Sequence, residues 1–367
     1  MQIDFHHTVT YILARLADFP HSQATTIAHA AQYVDDANNQ GTIQFTDGSA
    51  PYYHYASAYG MVDINNLNNR ADYTVWAPFH FLPGNNGDTA SATPTVPLVQ
   101  RLLCQPDSYV ANRMWEECRK TAGDHNALHR LGITCHVYED TFAHQRFAGI
   151  RHNVNSVSKI DAIDPTDDNL FDKAEMEALE FLRVGHGSAG KNPDMPFLNW
   201  TYQDAFHEEV PRDNPQIFLH ACDRLFAQFH YYLKTDPNAQ IAVQDRTIIE
   251  SITRTTRLKD GEQRHQVWLN AIAAGQFYFG APSRAEMADL NYVAKGVGSW
   301  KYTALGIITD KDAPGVSVPH PANFEQSDWY KFHEALKGHR STVLTMLLPE
   351  FGLPGSVDDA KAAGLPL

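Results

Sequence analysis

Hydrophobic positions along most of the chain recur every three to four residues, which is the period of an amphipathic α-helix. The pattern predicts one helix over residues 6–19 and a second over residues 22–39. It returns near residue 96 and continues, with breaks, to residue 347. Strict alternation of apolar and polar residues, which is typical of strands, is almost absent. We therefore predict an all-α fold, with a single helical domain spanning residues 1–350 and a C-terminal tail over residues 351–367.

Three stretches interrupt this helical pattern. Residues 40–70 are polar and rich in Tyr and Asn, and the Asp47-Gly48 pair predicts a short hairpin there. Residues 84–97 have the composition of an exposed loop, and the prolines and aromatics of residues 191–206 predict an ordered surface loop. The other predicted helices cover residues 98–104, 108–122, 123–150, 167 or 168 to 185 or 187, 214–234, 245–256, 262–275, 284–294 and 327–347.

The charge balance limits the classes of partner. The chain carries 29 Lys and Arg against 43 Asp and Glu, a formal net charge of −14, and no basic stripe. A protein that grips a nucleic-acid duplex by neutralising phosphates needs the opposite balance, so we expect no duplex binding. Four cysteines without a CxxC pair do not indicate a disulfide scaffold. The unusual count is histidine, with nineteen residues.

The sequence also predicts where the protein resides. The amino terminus has no basic stretch ahead of an apolar run, as a signal peptide would have, so we predict a cytoplasmic protein. No apolar run approaches the roughly 18 residues that cross a bilayer, so we expect no integral membrane association. Nothing in the sequence indicates an oligomeric state.

The strongest candidate chemistry lies in the predicted helix over residues 123–150. His136, Asp140 and His144 follow one another at intervals of four residues, so each side chain advances only about 40° around a helix. Imidazoles and a carboxylate on one edge are the ligands that zinc prefers. Without a metal, every polar atom of a buried triad would need an internal partner, and we therefore favour a metal site. His125 and His129 share the stripe, but solvent exposure explains them equally well.

The run LGITCHVYEDTFAH, residues 131–144, resembles the central motif of the zinc-dependent phospholipase C family and of the related single-strand nucleases. The resemblance implies an all-α bundle with one to three zinc ions at the bottom of a cleft, where phosphodiesters or phosphomonoesters are hydrolysed. It also implies that His136 binds one ion, that Asp140 bridges two, and that His144 binds the ion on the far side. The opening residues and the later GHG and PD segments suggest an uncharacterised bacterial branch.

Further ligands follow from the order of ligands in that family. The resemblance implies a histidine near the amino terminus, an aspartate on the next helix, and a histidine after the following loop. The residues that match this order are His6 or His7, Asp35 or Asp36 with Asp36 as the metal ligand, and His80.

Two features depart from the family pattern. Secreted relatives use a freshly cleaved N-terminal amine as a ligand, whereas the large Gln2 predicts that this chain keeps Met1, so we offer Asp4 as a replacement. The final His-x3-Glu pair of the family is also missing. The nearest candidates are His186 and Asp194, although His186 would equally serve as the end of a helix. His207 and Glu208 follow behind them.

These residues predict a zinc-dependent hydrolase that acts on a small-molecule or lipid-headgroup phosphoester. Metal ions would activate a water molecule, and Asp35 or Asp36 would orient the water or accept its proton. One alternative is a non-catalytic binding protein that a metal stabilises. Another is a His-Asp nucleotide phosphohydrolase, which ranks lower because the chain contains no adjacent His-Asp pair.

Overall fold

The computed structural model describes residues 1–59, 69–162, 184–309 and 317–365. Helices dominate these residues, and the chain enters the first of them through a π-helical turn, Asp4–Val9. A second π-helical turn, Val343–Leu347, follows α12. The helices are α1 (Thr10–Leu16), α2 (His21–Asp36), α3 (Asn69–Phe79), α4 (Leu98–Arg101), α5 (Tyr109–Lys120), α6 (Ala127–Ala143), α7 (Asn214–Tyr232), α8 (Val243–Thr255), α9 (Gly261–Ala273), α10 (Arg284–Asp289), α11 (Trp300–Leu305), α12 (Asp328–Thr342), α13 (Leu348–Glu350) and α14 (Val357–Ala362).

Two small sheets of three strands each accompany the helices. The first has the order β2-β1-β6, in which β1 pairs antiparallel with β2 and parallel with β6. The second is antiparallel with the order β3-β4-β5, and it places Trp200 opposite Arg212. The strands are β1 (Gly41–Phe45), β2 (Tyr52–His54), β3 (Ser158–Ala162), β4 (Asn199–Gln203), β5 (Glu209–Asp213) and β6 (Ser317–Val318).

The prediction of an all-α fold is therefore wrong, since the fold is mixed. The strands have at most five residues, too few for alternation to stand out in the sequence. In β4, within the predicted surface loop, Trp200 and Tyr202 are buried while the residues between them are half-buried. Pro211 is compatible with β5 because that strand lies at a sheet edge. The hairpin predicted around Asp47-Gly48 is present as β1 and β2.

Most of the other predicted helices are present with shifted ends. The long one predicted over residues 123–150 stops earlier, with α6 ending at Ala143. Helices α3, α11 and α14 were not predicted, because polar stretches or short length hide their period. The helix predicted from residue 167 or 168 to residue 185 or 187 falls mostly within residues 163–183, which lie outside the described residues.

Helix α6 runs through the centre of the molecule, with α2, α7, α12 and α5 packed against it. Its residues from His129 to Ala143 are all buried. At Gly132 the backbone of α2 comes so close that an added Cβ would lie 2.4 Å from the carbonyl oxygen of Ile27. Because α6 is buried on every side, its polar residues must find partners inside the protein.

Across the described residues, we find no helix with both the length and the apolar character needed to cross a membrane.

Candidate metal centre

Helix α6 supplies the middle of a buried cluster of histidines and carboxylates. His136 and Asp140 lie one turn apart, and His144 follows the last residue of the helix, where its backbone N–H donates to the carbonyl of Asp140. The Nε2 of His136 is 3.3 Å from Oδ2 of Asp140, and the Nδ1 of His144 is 3.6 Å from the same oxygen. The spacing of four residues thus places both rings around one carboxylate.

The amino-terminal π-helical turn brings His6 to the other oxygen of Asp140. The Nε2 of His6 lies 3.3 Å from Oδ1, and its ring stacks on that of His136 with centroids 3.9 Å apart. The Met1 amine donates to Oδ1 of Asp140 at 2.5 Å and lies 3.2 Å from Oδ1 of Asp194. Burial lowers the pKa of this amine, but the charges of Asp140, Asp194 and Asp35 outweigh burial and raise the pKa to about 11.

A second side of the cluster comes from α2 and from the residue after α3. The Nδ1 of His80 lies 3.2 Å from Oδ2 of Asp140 and 3.2 Å from Nε2 of His136. Asp35, at the end of α2, places Oδ1 3.8 Å from each of these two nitrogens. Burial, with repulsion from Asp140, raises the pKa of Asp35 to about 7.

The third side is formed by the segment that follows residue 183. Asp194 ends a short 3-10 turn, Asn192–Asp194, and its Oδ1 lies 3.1 Å from Nε2 of His144. Its Oδ2 lies 3.4 Å from Nε2 of His186. The two candidates for the missing ligand pair of the family motif therefore meet at His144.

The residues form three groups, of which two share His136, and in each group three possible ligand atoms lie within 4.8 Å of one another. Zinc bonds of about 2.0 to 2.2 Å in a tetrahedral arrangement place neighbouring ligand atoms roughly 3.3 Å apart. The contacts of 3.1 to 3.8 Å between ring nitrogens and carboxylate oxygens are close to that separation. The groups are His6, His136 and Asp140; Asp35, His80 and His136; and His144, His186 and Asp194.

Four of the rings have one nitrogen held by an oxygen outside the three groups. A neutral ring that donates through one nitrogen carries a lone pair on the other, and here the other nitrogen faces a carboxylate oxygen. The donor contacts are His6 Nδ1 to Glu139 (2.6 Å), His80 Nε2 to the Ser57 carbonyl (2.9 Å), His144 Nδ1 to the His80 carbonyl (2.9 Å) and His186 Nδ1 to the Gly190 carbonyl (2.8 Å).

The lone pairs matter because His6, His136 and His186 favour the neutral state. Burial lowers the pKa of His136 and of His186 to about 4, and burial with the charge of His136 lowers the pKa of His6 well below its usual value. A neutral nitrogen lone pair that faces a carboxylate oxygen is repelled unless a cation lies between them. The residues present therefore fit divalent metal ions.

Glu139 lies behind this cluster on α6 and is only 1% exposed. One of its oxygens accepts from Nδ1 of His6, and the other accepts from the Thr10 hydroxyl at 2.7 Å. Burial raises the pKa of Glu139 to about 8, and a cation bound by His6 would lower this pKa again and favour the carboxylate. A carboxylate in this position fixes the orientation of a metal-ligating imidazole and increases its basicity.

Four residues considered from the sequence have other partners. His7 shares a hydrogen bond between its Nδ1 and Nε2 of His265 at 3.0 Å, so of the two adjacent histidines His6 faces the cluster. Asp36 accepts from the Tyr292 hydroxyl at 2.6 Å, and Asp35 is the member of that pair grouped with histidines.

Outside the cluster, Asp4 accepts a hydrogen bond from Nε of Arg264 at 2.6 Å, so the Met1 amine and not Asp4 contacts Asp140. His129 pairs with Asp328 at 3.0 Å.

Sequence reasoning did not find the roles of the Met1 amine and of Glu139. The amine carries no signal in its residue type, since any first residue has one. Glu139 follows His136 by three residues and precedes Asp140, so its place on the same helix was visible. Its contact with His6 joins residues 133 positions apart, which no local pattern encodes.

The comparisons place the chain in one family. The chain belongs to DUF6765, a family of unknown function, whose family model matches residues 1–347. No curated protein and no solved structure matches the chain significantly. The centre must therefore be interpreted from its own chemistry.

Proposed function

We propose that this protein is a metal-dependent hydrolase of phosphoester bonds that holds up to three zinc ions in the cluster around Asp140. The observation that carries the proposal is the set of buried ring nitrogens that face carboxylate oxygens while their opposite nitrogens are held in place. A site of this construction is expensive to bury without a cation. The resemblance of residues 131–144 to zinc-dependent phospholipase C supports phosphoesters as the substrate.

The donor set favours zinc over magnesium or calcium. Each of the three groups consists of two imidazoles and one carboxylate. Magnesium and calcium prefer ligand sets made of oxygen, whereas imidazole suits zinc. The fold also keeps the rings oriented before any ion arrives, because the opposite nitrogens are anchored.

Bound zinc supplies a nucleophile at neutral pH by acidifying water, and it neutralises charge on phosphoryl oxygens. Asp35 is placed to take part in proton transfer, since about a third of its side chain is exposed while Oδ1 faces His80 and His136. In the reaction, water adds to phosphorus, Asp35 accepts the proton of the water, and the bond from phosphorus to the alcohol oxygen breaks. The leaving alcohol takes a proton, and the products are an alcohol and a phosphate.

The test begins with the metal content of protein purified without a histidine tag. We expect at least one equivalent of zinc by elemental analysis, together with hydrolysis of p-nitrophenyl phosphate or bis-p-nitrophenyl phosphate that a chelator abolishes. Less than about half an equivalent of any transition metal, even after incubation with zinc, would rule out the metal centre.

A third outcome separates catalysis from structure. Tightly bound zinc with no hydrolysis of either ester would favour the non-catalytic, metal-stabilised protein over the hydrolase. A structural site is fully coordinated by protein, whereas a catalytic site leaves a position for water. Spectroscopy of the cobalt-substituted protein distinguishes the two by coordination number.

The proposal includes a cytoplasmic location. All four cysteines are buried and free, which is common in proteins of a reducing compartment. Fractionation of cells that express the full chain checks this location.

A further inference from the structure

A cavity of about 410 Å³ opens beside the metal centre, and Asp35 belongs to both. A substrate whose phosphoryl group reaches the cluster past Asp35 can place the rest of the molecule in this space. The inference below rests on the proposed function, because it concerns the part of the phosphoester that is released as the alcohol.

The lining of the cavity is more polar than apolar. It includes the amides of Gln2 and Gln32, the ammonium groups of Lys191 and Lys259, and four carboxylates, those of Asp35, Asp36, Asp260 and Glu262. Among the described lining residues, only Ile3 and Ala294 carry purely aliphatic side chains. An acyl chain or another large apolar group would gain little from entering such a space.

Gln32 has an unused acceptor at this cavity. Its amide nitrogen donates to Asp36 at 3.1 Å, whereas its Oε1 is buried and has no hydrogen-bond partner in the part of the chain that the structure describes. A buried acceptor without a partner is costly, and a donor supplied by a ligand removes that cost. Hydroxyl groups of a ligand can donate hydrogen bonds to this amide oxygen and to the neighbouring carboxylates.

The one aromatic residue of the described lining is not placed for stacking on a ligand. Tyr292 donates its hydroxyl to Asp36, and its ring packs against His29 and His7 with centroids 4.6 and 5.4 Å apart. A quaternary ammonium group needs an aromatic cage, and a nucleobase needs an aromatic platform.

We propose that this cavity binds the hydroxyl-rich alcohol part of a phosphorylated sugar or polyol. Gln2, Gln32 and Glu262 accept hydrogen bonds from its hydroxyl groups, and Lys191 and Lys259 offset part of the repulsion between the carboxylates of the cavity and the dianionic phosphate. The substrate class is therefore a water-soluble monoester, in contrast to a phospholipid or a nucleic acid.

The first experiment compares substrates with the zinc-loaded full-length protein. We expect kcat/KM for glycerol 1-phosphate or glucose 6-phosphate to exceed that for p-nitrophenylphosphorylcholine, and for phosphatidylcholine in mixed micelles, by at least about tenfold. Equal or higher kcat/KM for either choline ester would overturn the proposed substrate class while leaving the hydrolase intact. Failure of all these esters and of p-nitrophenyl phosphate would instead contradict the hydrolase, and the substrate class with it.

The second experiment tests the cavity itself through Gln32→Leu, which keeps the size of the side chain and removes its amide. We expect the ratio of kcat/KM for the sugar phosphate to that for p-nitrophenyl phosphate to fall at least about tenfold. Gln23→Leu, on the exposed part of the same helix, is the matched control and should leave the ratio unchanged. An unchanged ratio in Gln32→Leu would contradict the proposed contact.

Lys259→Gln provides an independent readout if Gln32→Leu does not fold. It removes one charge from the cavity, so KM for the dianionic monoester should rise several-fold, and the rise should shrink at high salt because screening weakens the attraction. A KM that does not respond to this substitution would contradict the role of the lysine.

Discussion

At the scale of single residues, Asp140 is the point at which the ligands converge. Its two oxygens lie within 3.6 Å of nitrogens from four histidines as well as the Met1 amine, and the side chain is only 1% exposed. Burial alone would raise the pKa of Asp140, but the interactions of its carboxylate with His144 and with the Met1 amine outweigh burial and hold this pKa well below its usual range. This carboxylate is therefore ionised in the folded protein and available to bridge metal ions.

Asp140→Asn should remove most of the bound metal, because an amide lacks the charge that two ions share. Elemental analysis after gel filtration measures the loss. His129→Ala is the control, since His129 pairs with Asp328 outside the cluster, and its metal content should change little. Unchanged metal content and unchanged thermal stability in Asp140→Asn would show that the bridging assignment is wrong.

Glu139→Gln should weaken metal binding without abolishing it. The amide still accepts from His6 but no longer increases the basicity of the ring, so affinity for the most weakly held ion should fall about 10- to 100-fold. Competition with a chromogenic chelator measures this affinity. Glu116 is exposed on α5, so the control variant Glu116→Gln should bind metal as tightly as the unmodified protein. Equal metal affinities of the two variants would show that Glu139 does not contribute to metal binding.

At the scale of elements, the centre depends on how closely α2 and α6 pack. Gly132 allows this approach, because a Cβ there would lie 2.4 Å from the Ile27 carbonyl oxygen and 2.6 Å from Cβ of Ala30. Helix α6 carries His136 and Asp140, and α2 ends with Asp35 and Asp36. The distance between the two helices therefore sets how far Asp35 stands from the histidines.

Gly132→Ala should destabilise the protein by about 1 to 3 kcal/mol, because overpacking forces the two backbones apart. Chemical denaturation measures the free energy of unfolding. Gly123→Ala is the matched control, since a Cβ there meets nothing within 4 Å. Equal stabilities of the two variants would mean that α2 and α6 adjust without cost.

At the scale of the whole molecule, the centre joins segments that are distant in the chain. Residues near the amino terminus, the end of α2, the residue after α3, α6, and residues 186 and 194 all contribute ligand atoms. An ion bound by several of these segments binds the folded chain and not the unfolded one. Metal binding should therefore contribute to global stability.

Removal of metal should lower the melting temperature, because buried carboxylates would then face ring lone pairs without a cation between them. Calorimetry before and after dialysis against a chelator measures the shift, and added zinc should reverse it. The same treatment should barely change Asp140→Asn. If a chelator removes the metal and the melting temperature does not change, the proposal that bound ions link these segments is wrong.

The sequence alone indicated which residue types would meet, and in one helix it also indicated their geometry. The rings of His136 and His144 lie around the carboxylate of Asp140 because the spacing of four residues fixes their angles along α6 and the residue that follows it. Pattern alone did not separate His6 from His7 or Asp35 from Asp36. Neighbouring residues on a helix point about 100° apart, and only packing decides which of them faces the cluster.

The sequence by itself determined the helical frame and the stripe on α6, because both follow from periods of a few residues that a single element contains. Only the tertiary structure decided the two sheets, the contact of Glu139 with His6, the meeting of His186 and Asp194 at His144, and the polar cavity beside Asp35. Each of these joins residues far apart in the chain, so it depends on how whole elements pack and on which buried groups satisfy one another.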